Sequence, residues 1–104
     1  IDIERQCFAI ANKTGGMSGP AVKPVALRMV YQAANAVQIP IIGMGGIANA
    51  DDAMEFILAG ATAVSIGTAN FYNPYATVET VKGIENYMRR HHCSDINDLI
   101  GIVK

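Results

Sequence analysis

The chain has 104 residues, of which 51% are hydrophobic and 16% are charged, and its formal net charge at pH 7 is −1. A balance this close to neutral gives no electrostatic reason to bind nucleic acid or an anionic membrane surface, so we predict neither partner. No apolar stretch reaches the ~18 residues that a membrane-spanning helix needs. Because Asp2, Glu4 and Arg5 interrupt the first residues, we expect no signal peptide there.

The chain is predicted to begin with a β-hairpin, because residues 1–3 and 8–11 read as short strands around a polar turn. A glycine-rich loop over residues 12–19 follows, and Pro24 suits the first turn of a helix over residues 24–37. The apolar stripe predicted for this helix consists of Val25, Leu27, Met29, Val30, Ala33, Ala34 and Val37.

A short strand at residues 39–43 runs directly into a glycine-rich turn. Its near-continuous apolar run is typical of a parallel strand covered on both faces. Gly45 and Gly46 leave the backbone without a Cβ, so a ligand can approach the amides closely. Asn49 is predicted to cap the next helix, with Asp51 and Asp52 in its first turn. This turn alone leaves a phosphate site and an ordinary structural turn equally open.

A second strand at residues 63–66 ends in Gly67 and Thr68, and Gly60 is a natural stop for the helix over residues 50–59 that joins the two strands. The inward face predicted for this helix is Ala53, Met54, Ile57 and Leu58. Both glycine turns of such a βαβ unit emerge at the same edge of a parallel sheet. Barrel enzymes hold phosphate groups between two such turns, typically after strands seven and eight. The repeated pattern therefore indicates a phosphate-bearing ligand.

The last third of the chain is predicted to contain a loop over residues 70–75, a helix over 77–91, and a short helix that Ser94 caps and that runs through residue 103. The inward face predicted for the longer helix is Val78, Val81, Ile84, Tyr87 and Met88. Its end carries two arginines and two histidines, which favour the helix dipole and do not form a chelating pair. We interpret this run as a solvated helix end.

The two cysteines, Cys7 and Cys93, lie far apart without metal-type spacing. This usage suits a reducing cytosol, so we expect a cytoplasmic protein with no metal ligands. We interpret neither cysteine as a nucleophile.

Three blocks carry a resemblance to a known family: residues 14–24, residues 43–47 and residues 65–71. In this order and spacing they resemble the carboxyl-terminal part of dihydroorotate dehydrogenase, a flavin-dependent (β/α)8 barrel of pyrimidine biosynthesis. The first block matches the class 1B form Gly-Gly-x-Ser-Gly-Pro-Ala-x-Lys-Pro, whereas the fumarate-using class 1A branch lacks Ser-Gly-Pro-Ala. Dihydropyrimidine dehydrogenase, with a related Ser-Gly-Thr-Ala version, stays open as an alternative.

The resemblance implies an α/β fold in which residues 1–104 are the carboxyl-terminal βα units of one FMN-binding TIM-barrel domain, preceded by the short hairpin. It implies that Gly45 and Gly46 give backbone amides to the FMN phosphate, and that Gly67 and Thr68 close the same site. Gly19 matches a further FMN-contacting glycine, and the Thr68 hydroxyl can donate to a phosphate oxygen. Residues 70–71 are expected to shape the exit of the loop.

The chemistry of the family is the oxidation of dihydroorotate to orotate by hydride transfer to FMN, with cysteine as the base in class 1B. The resemblance implies that this base and the substrate-binding residues lie in earlier strands, so we expect no catalytic residue in this segment. Cys7 lies in the predicted hairpin and is not that base. Class 1B also implies a partner subunit with FAD and a 2Fe-2S cluster that passes electrons to NAD, and a homodimer of catalytic subunits within a heterotetramer.

Two other readings stay open on the sequence. One is part of a phosphate-binding barrel from a flavin-free sugar-phosphate enzyme, and the other is a non-catalytic module in which the glycines only turn the chain. Because the first residue is Ile1, we expect a cut or processed end. We expect the 104 residues alone to be inactive, and to be aggregated, swapped with another copy or ordered only against the rest of the barrel.

Overall fold

The computed structural model describes residues 1–103 as an α/β arrangement built around a two-stranded parallel sheet. The elements in chain order are a 3-10 turn (Pro20–Val22), α1 (Lys23–Ala36), β1 (Ile42–Met44), α2 (Ala50–Leu58), β2 (Ala63–Ser65), α3 (Ala69–Tyr72), α4 (Ala76–Arg90) and a second 3-10 turn (Ile96–Leu99). The strands pair in parallel, with Gly43 opposite Val64. The predicted βαβ unit, with α2 as its crossover, is confirmed, but the first strand begins at Ile42 and not at residue 39 as predicted.

The boundaries of α2 follow the predicted local chemistry. The Asn49 side chain accepts a hydrogen bond from the backbone N–H of Asp52 at 3.0 Å, which is an N-cap. The helix stops before Gly60, whose φ of 118° suits a residue without a Cβ. Each bound of α1, α2 and α4 differs by no more than one residue from the predicted helices at 24–37, 50–59 and 77–91.

The sheet is covered on one face only, and this corrects the expectation that both faces of the first strand are buried. Gly43 is buried, but Ile42 and Met44 are 61% and 59% exposed. On the covered face, Phe56 from α2 lies so close that a Cβ on Gly43 would come within 2.7 Å of its ring. The described residues supply helices to that face alone.

The core lies between this covered face and the helices. Its buried members are Val30, Ile47, Ala53, Phe56 and Ala61. Of the predicted inward face of α2, Ala53, Met54 and Ile57 are buried and Leu58 is half-buried. Phe56 is the largest fully buried side chain, although the predicted stripe omitted it.

Two predicted helix faces are wrong in part. On α1, Val30 is buried but Val25, Met29 and Val37 are exposed. On α4, the predicted Val78 and Val81 are also exposed, and the buried residues are the small Ala76 and Thr80. The helix packs through small residues because α2 comes very close: a Cβ on Gly83 would overlap the Cβ of Ala50.

The chain termini are less regular than predicted. The hairpin is reduced to one antiparallel bridge in which Asp2 and Cys7 exchange N–H···O=C bonds of 2.9 and 3.3 Å. No strand forms over residues 8–11, whose large apolar side chains are exposed with no neighbouring strand.

The predicted last helix is a single 3-10 turn, and Asp95, not Ser94, caps it. The chain then turns back, and the N–H of Gly101 donates to the carbonyl of Ile57 at the end of α2. The predicted loop at residues 70–75 also differs, because it contains most of α3. No helix within residues 1–103 is long and apolar enough to cross a membrane.

Candidate functional site

A cavity of about 370 Å³ lies at the carboxyl ends of β1 and β2. Its lining includes all five residues that were predicted to bind FMN, which are Gly19, Gly45, Gly46, Gly67 and Thr68. They come from three separate segments: the loop before α1, the turn after β1 and the turn after β2. The structure therefore brings the predicted residues together in one place.

The cavity presents backbone N–H donors without a hydrogen-bond partner among the residues that the structure describes. The N–H groups of Gly46, Gly67 and Thr68 donate to no acceptor among residues 1–103. The N–H of Gly45, a predicted phosphate donor, instead lies opposite the Ser65 carbonyl in the parallel ladder. Gly67 and Thr68 are exposed and Gly46 is half-buried, so these donors are open to a ligand or to water. Fixed N–H groups without an intervening side chain are the donor set that phosphate groups meet in proteins.

Asn70 fixes the direction of two of these donors. Its side-chain Nδ2 donates to the carbonyl oxygens of Ile66 at 2.8 Å and Gly67 at 3.3 Å. Because the N–H of a trans peptide points opposite to its C=O, the N–H groups of Gly67 and Thr68 point away from Asn70. The Asn70 Oδ1 accepts a hydrogen bond from the Thr77 hydroxyl at 3.1 Å, which ties the loop to α4. The predicted structural role of Asn70 agrees with these contacts.

Positions 45 and 46 both require glycine, because each has a positive φ and because a Cβ at either would clash with nearby atoms. Gly45 has a φ of 120°, and a Cβ there would come within 2.6 Å of the Ala26 side chain. Gly46 has a φ of 75°, and its Cβ would come within 2.7 Å of the carbonyl oxygen of Gly19. Both are left-handed conformations that residues with a side chain rarely adopt. These two glycines bring the turn directly against the start of α1.

Gly67 is a glycine for a different reason. A Cβ at this position would meet nothing within 4 Å, and its φ is not left-handed. The residue lines the cavity, so a side chain there would occupy cavity space without displacing protein atoms. This is the property expected where a ligand lies against the backbone.

An ion pair lies behind the first glycine turn. Lys23 Nζ donates to Asp52 Oδ1 at 2.6 Å and to Glu55 Oε1 at 3.0 Å. The second oxygen of Asp52 accepts a hydrogen bond from the N–H of Ala48 at 3.0 Å. Lys23 lies in the block of residues 14–24 that resembles the family. No role was predicted for it, because its partners follow 29 and 32 residues later in the sequence.

The pair is ionised at neutral pH. The hydrogen bonds to Asp52 and Glu55 raise the pKa of Lys23 above its ordinary 10.5. Burial acts to raise the pKa of Asp52, but the hydrogen bonds from Lys23 and the Ala48 N–H outweigh it, so the pKa falls below 3.8.

The cavity is also lined by several residues that were not predicted to bind a ligand. Ser18 and Ser65 add hydroxyl groups, and Met44 adds an apolar wall. Ser65 directly precedes the second turn at the end of β2, a position that could have indicated it. Neither cysteine lines the cavity: Cys7 pairs with Asp2, and the Cys93 thiol donates to the Asp95 carbonyl.

Comparison with known proteins identifies the family. The sequence model described as Dihydroorotate dehydrogenase matches residues 1–88 of the chain. The chain belongs to the dihydroorotate dehydrogenase family. This membership confirms the predicted resemblance and favours it over dihydropyrimidine dehydrogenase and the flavin-free barrel enzymes.

Curated relatives are similar along the whole chain. The protein named dihydroorotate dehydrogenase B (NAD(+)), catalytic subunit, from Lachnoclostridium phytofermentans is 74% identical over 104 residues. The protein of the same name from Alkaliphilus oremlandii is 62% identical over 101 residues, or 97% of this chain. The chain spans 35% and 33% of the length of these two relatives.

Solved structures of the family superpose on the chain. The Eimeria tenella dihydroorotate dehydrogenase in complex with ferulenol matches 90% of this chain and 26% of its own, with a TM-score of 0.80 and 28% identity. The ligand-free enzyme from the same organism matches 86% of this chain and 25% of its own, with a TM-score of 0.80 and 30% identity. Dihydroorotate dehydrogenase has a TIM-barrel fold, so the predicted fold class is confirmed.

Proposed function

We propose that this chain is the FMN-phosphate-binding, carboxyl-terminal part of a class 1B dihydroorotate dehydrogenase. The whole enzyme would oxidise dihydroorotate to orotate in pyrimidine biosynthesis. The observation that carries the proposal is the meeting of five predicted residues around one cavity, with three backbone N–H groups, those of Gly46, Gly67 and Thr68, that have no acceptor among residues 1–103. The names of the relatives support the NAD-linked branch.

The residues of the site fit the phosphate of FMN. Gly46, Gly67 and Thr68 would hold it through N–H groups, the Thr68 hydroxyl would donate a further bond, and Gly19 and Gly45 would border it. No Lys, Arg or His lies among the lining residues that the structure describes, so the dianion would be held by neutral dipoles. When bound, FMN supplies the group that accepts a hydride from dihydroorotate.

The catalytic base and the substrate contacts would lie in parts of the enzyme outside these 104 residues. Neither Cys7 nor Cys93 lines the cavity, and neither is a candidate for the cysteine base. The chain spans about a third of the length of its curated relatives, which leaves ample sequence for those residues. We propose that residues 1–104 are one part of a single barrel domain.

The name "catalytic subunit" carried by the relatives implies a partner subunit. We propose that this partner carries FAD and a 2Fe-2S cluster and passes electrons from FMN to NAD. The catalytic subunits would form a homodimer within a heterotetramer in the cytoplasm.

The test is to purify the full-length protein that carries these residues. We expect a yellow protein that releases FMN on denaturation, and dihydroorotate-dependent reduction of NAD once the iron-containing partner is present. A protein that never carries flavin would contradict the FMN site. Efficient fumarate reduction by the isolated catalytic subunit would contradict the NAD-linked assignment.

A further inference from the structure

We propose that Lys23 and Asp52 act as a positioning pair that fixes the glycine turn after β1, so that the N–H group of Gly46 faces the bound phosphate. The proposal rests on the proposed FMN-phosphate function. Neither Lys23 nor Asp52 lines the cavity, so the pair acts through the turn and not on the phosphate itself.

The first contact is between Lys23 and the middle of the turn. A Cβ on Gly46 would come within 2.9 Å of Lys23 Cβ and 3.0 Å of the Lys23 backbone nitrogen. Lys23 is also the first residue of α1. The start of this helix therefore lies directly against the turn, and a shift of Lys23 would displace Gly46.

The second contact is between Asp52 and the end of the turn. Asp52 Oδ2 accepts a hydrogen bond from the N–H of Ala48, two residues after Gly46, at 3.0 Å. The Asp52 N–H is in turn held by the Asn49 side chain, which fixes the carboxylate to the start of α2. Asp52 Oδ1 then accepts the 2.6 Å hydrogen bond from Lys23 Nζ. The ion pair thus connects both sides of the segment from Gly46 to Ala48.

The ion pair between Lys23 and Asp52 is largely shielded from solvent, unlike a surface ion pair. The side chains of Lys23 and Asp52 are only 25% and 13% exposed, whereas that of Glu55 is 44% exposed. Charge-assisted hydrogen bonds at this distance are among the strongest in proteins, while exposed ion pairs contribute little. Asp52 is therefore the partner that matters, and Glu55 provides a matched control.

The experiment uses the full-length holoenzyme, stripped of flavin and titrated with FMN and with riboflavin, which lacks the phosphate. We expect Lys23→Met and Asp52→Asn each to weaken FMN binding about tenfold, the scale of one charge-assisted hydrogen bond, and to leave riboflavin binding unchanged. Glu55→Gln should leave both affinities unchanged. Because the two residues act as one unit, the double variant should lose no more than the more severe single variant.

The outcomes separate this proposal from the function on which it rests. A wild-type protein that binds riboflavin as tightly as FMN would overturn the phosphate site itself. A wild type that prefers FMN, with variants that keep this preference, would overturn the positioning pair alone. Loss in Lys23→Met but not in Asp52→Asn would mean that Lys23 contacts the phosphate directly, and equal loss of both ligands would indicate only a general structural role. Either result would also overturn the pair.

Discussion

Gly46 packs against the carbonyl oxygen of Gly19 at the position where any other residue would carry its Cβ. A Cβ on Gly46 would come within 2.7 Å of that oxygen, closer than a carbon and an oxygen approach without strain. The contact joins the loop before α1 to the turn after β1, two of the three segments that line the cavity. The shape of the site therefore depends on this close approach before any ligand is bound.

The two glycine turns should respond differently to substitution. At Gly46, alanine and aspartate should both abolish stoichiometric flavin in the purified full-length enzyme, because the added Cβ alone displaces the turn. At Gly67, alanine should leave the protein folded, since a Cβ there meets nothing within 4 Å, but it should weaken FMN binding by occupying cavity space. Gly67→Asp should weaken FMN binding at least about a hundredfold, because like charges held close together cost several kcal/mol.

Gly16→Asp is the control for this comparison. Its Cβ would also meet nothing within 4 Å, its φ is not left-handed, and it does not line the cavity. It should keep stoichiometric flavin. A Gly67→Asp enzyme that also keeps stoichiometric flavin would show that the phosphate does not lie against the second turn.

Much of the site could be predicted from local sequence, because the features that build it are local. Asn49 caps α2, Gly60 ends it, and the glycines sit at the ends of two short apolar runs. A parallel βαβ unit then places both turns at one edge of the sheet without further information. The cavity lining includes the four residues of these two turns, whereas Gly19 in the loop before α1 was predicted only from the family resemblance.

What could not be predicted depends on contacts between distant segments. The ion pair between Lys23 and Asp52 joins residues 29 positions apart, and the sequence around either residue does not indicate which residue it pairs with. The prediction that Val78 and Val81 lie on the inward face of α4 was wrong, because a prediction from hydrophobicity selects large apolar side chains. The closest contact of α4 is instead between Gly83 and Ala50, where the absence of a side chain decides the packing.

We predict that Gly83→Ala destabilises the protein, although alanine favours a helix by about 1 kcal/mol over glycine. The added methyl group would overlap Ala50 at the start of α2, and over-packing of this kind costs about 1–3 kcal/mol. A fall in the Tm of the full-length enzyme checks this. The double variant Gly83→Ala/Ala50→Gly removes the overlapping methyl group and should recover part of the loss. A rise in Tm for Gly83→Ala alone would contradict the close packing of α2 and α4.

The ion pair should contribute the same stability across the neutral range. Because the pKa of Asp52 lies below 3.8, its stabilisation is fully present above that value and is lost as the pH falls through its folded-state pKa. Because the pKa of Lys23 lies above 10.5, its stabilisation is fully present below that value and is lost as the pH rises through its folded-state pKa. The charged groups that meet here are Lys23 from α1 and Asp52 and Glu55 from α2.

The measurement compares the Tm of the wild type with that of Asp52→Asn at about pH 5, 7 and 9, a range inside both limits. We expect the difference between the two proteins to be constant over these three conditions. A difference that shrinks within this range would show that the pair titrates there, and would contradict the contacts between Lys23 and Asp52.

The flat shape and the exposed apolar surface of the described chain indicate whether residues 1–104 would associate when expressed alone. The radius of gyration is 16.6 Å, against about 13 Å for a compact domain of 100 residues. The molecule is correspondingly flat, measuring 58 × 34 × 17 Å. One face of its two-stranded sheet exposes Ile42 and Met44, and a sheet of two strands is marginally stable in water.

We therefore predict that residues 1–104, expressed alone, associate and do not oxidise dihydroorotate. Apolar side chains beside unpaired strand edges favour pairing between copies, and the proposed base lies outside this segment. Size exclusion with light scattering measures the association, and an assay with added FMN and an electron acceptor measures turnover. Replacing Ile42 and Met44 with threonine keeps the strand propensity but reduces the apolar area, so this variant should associate less. A monomer that turns over dihydroorotate would contradict both the association and the placement of the catalytic residues.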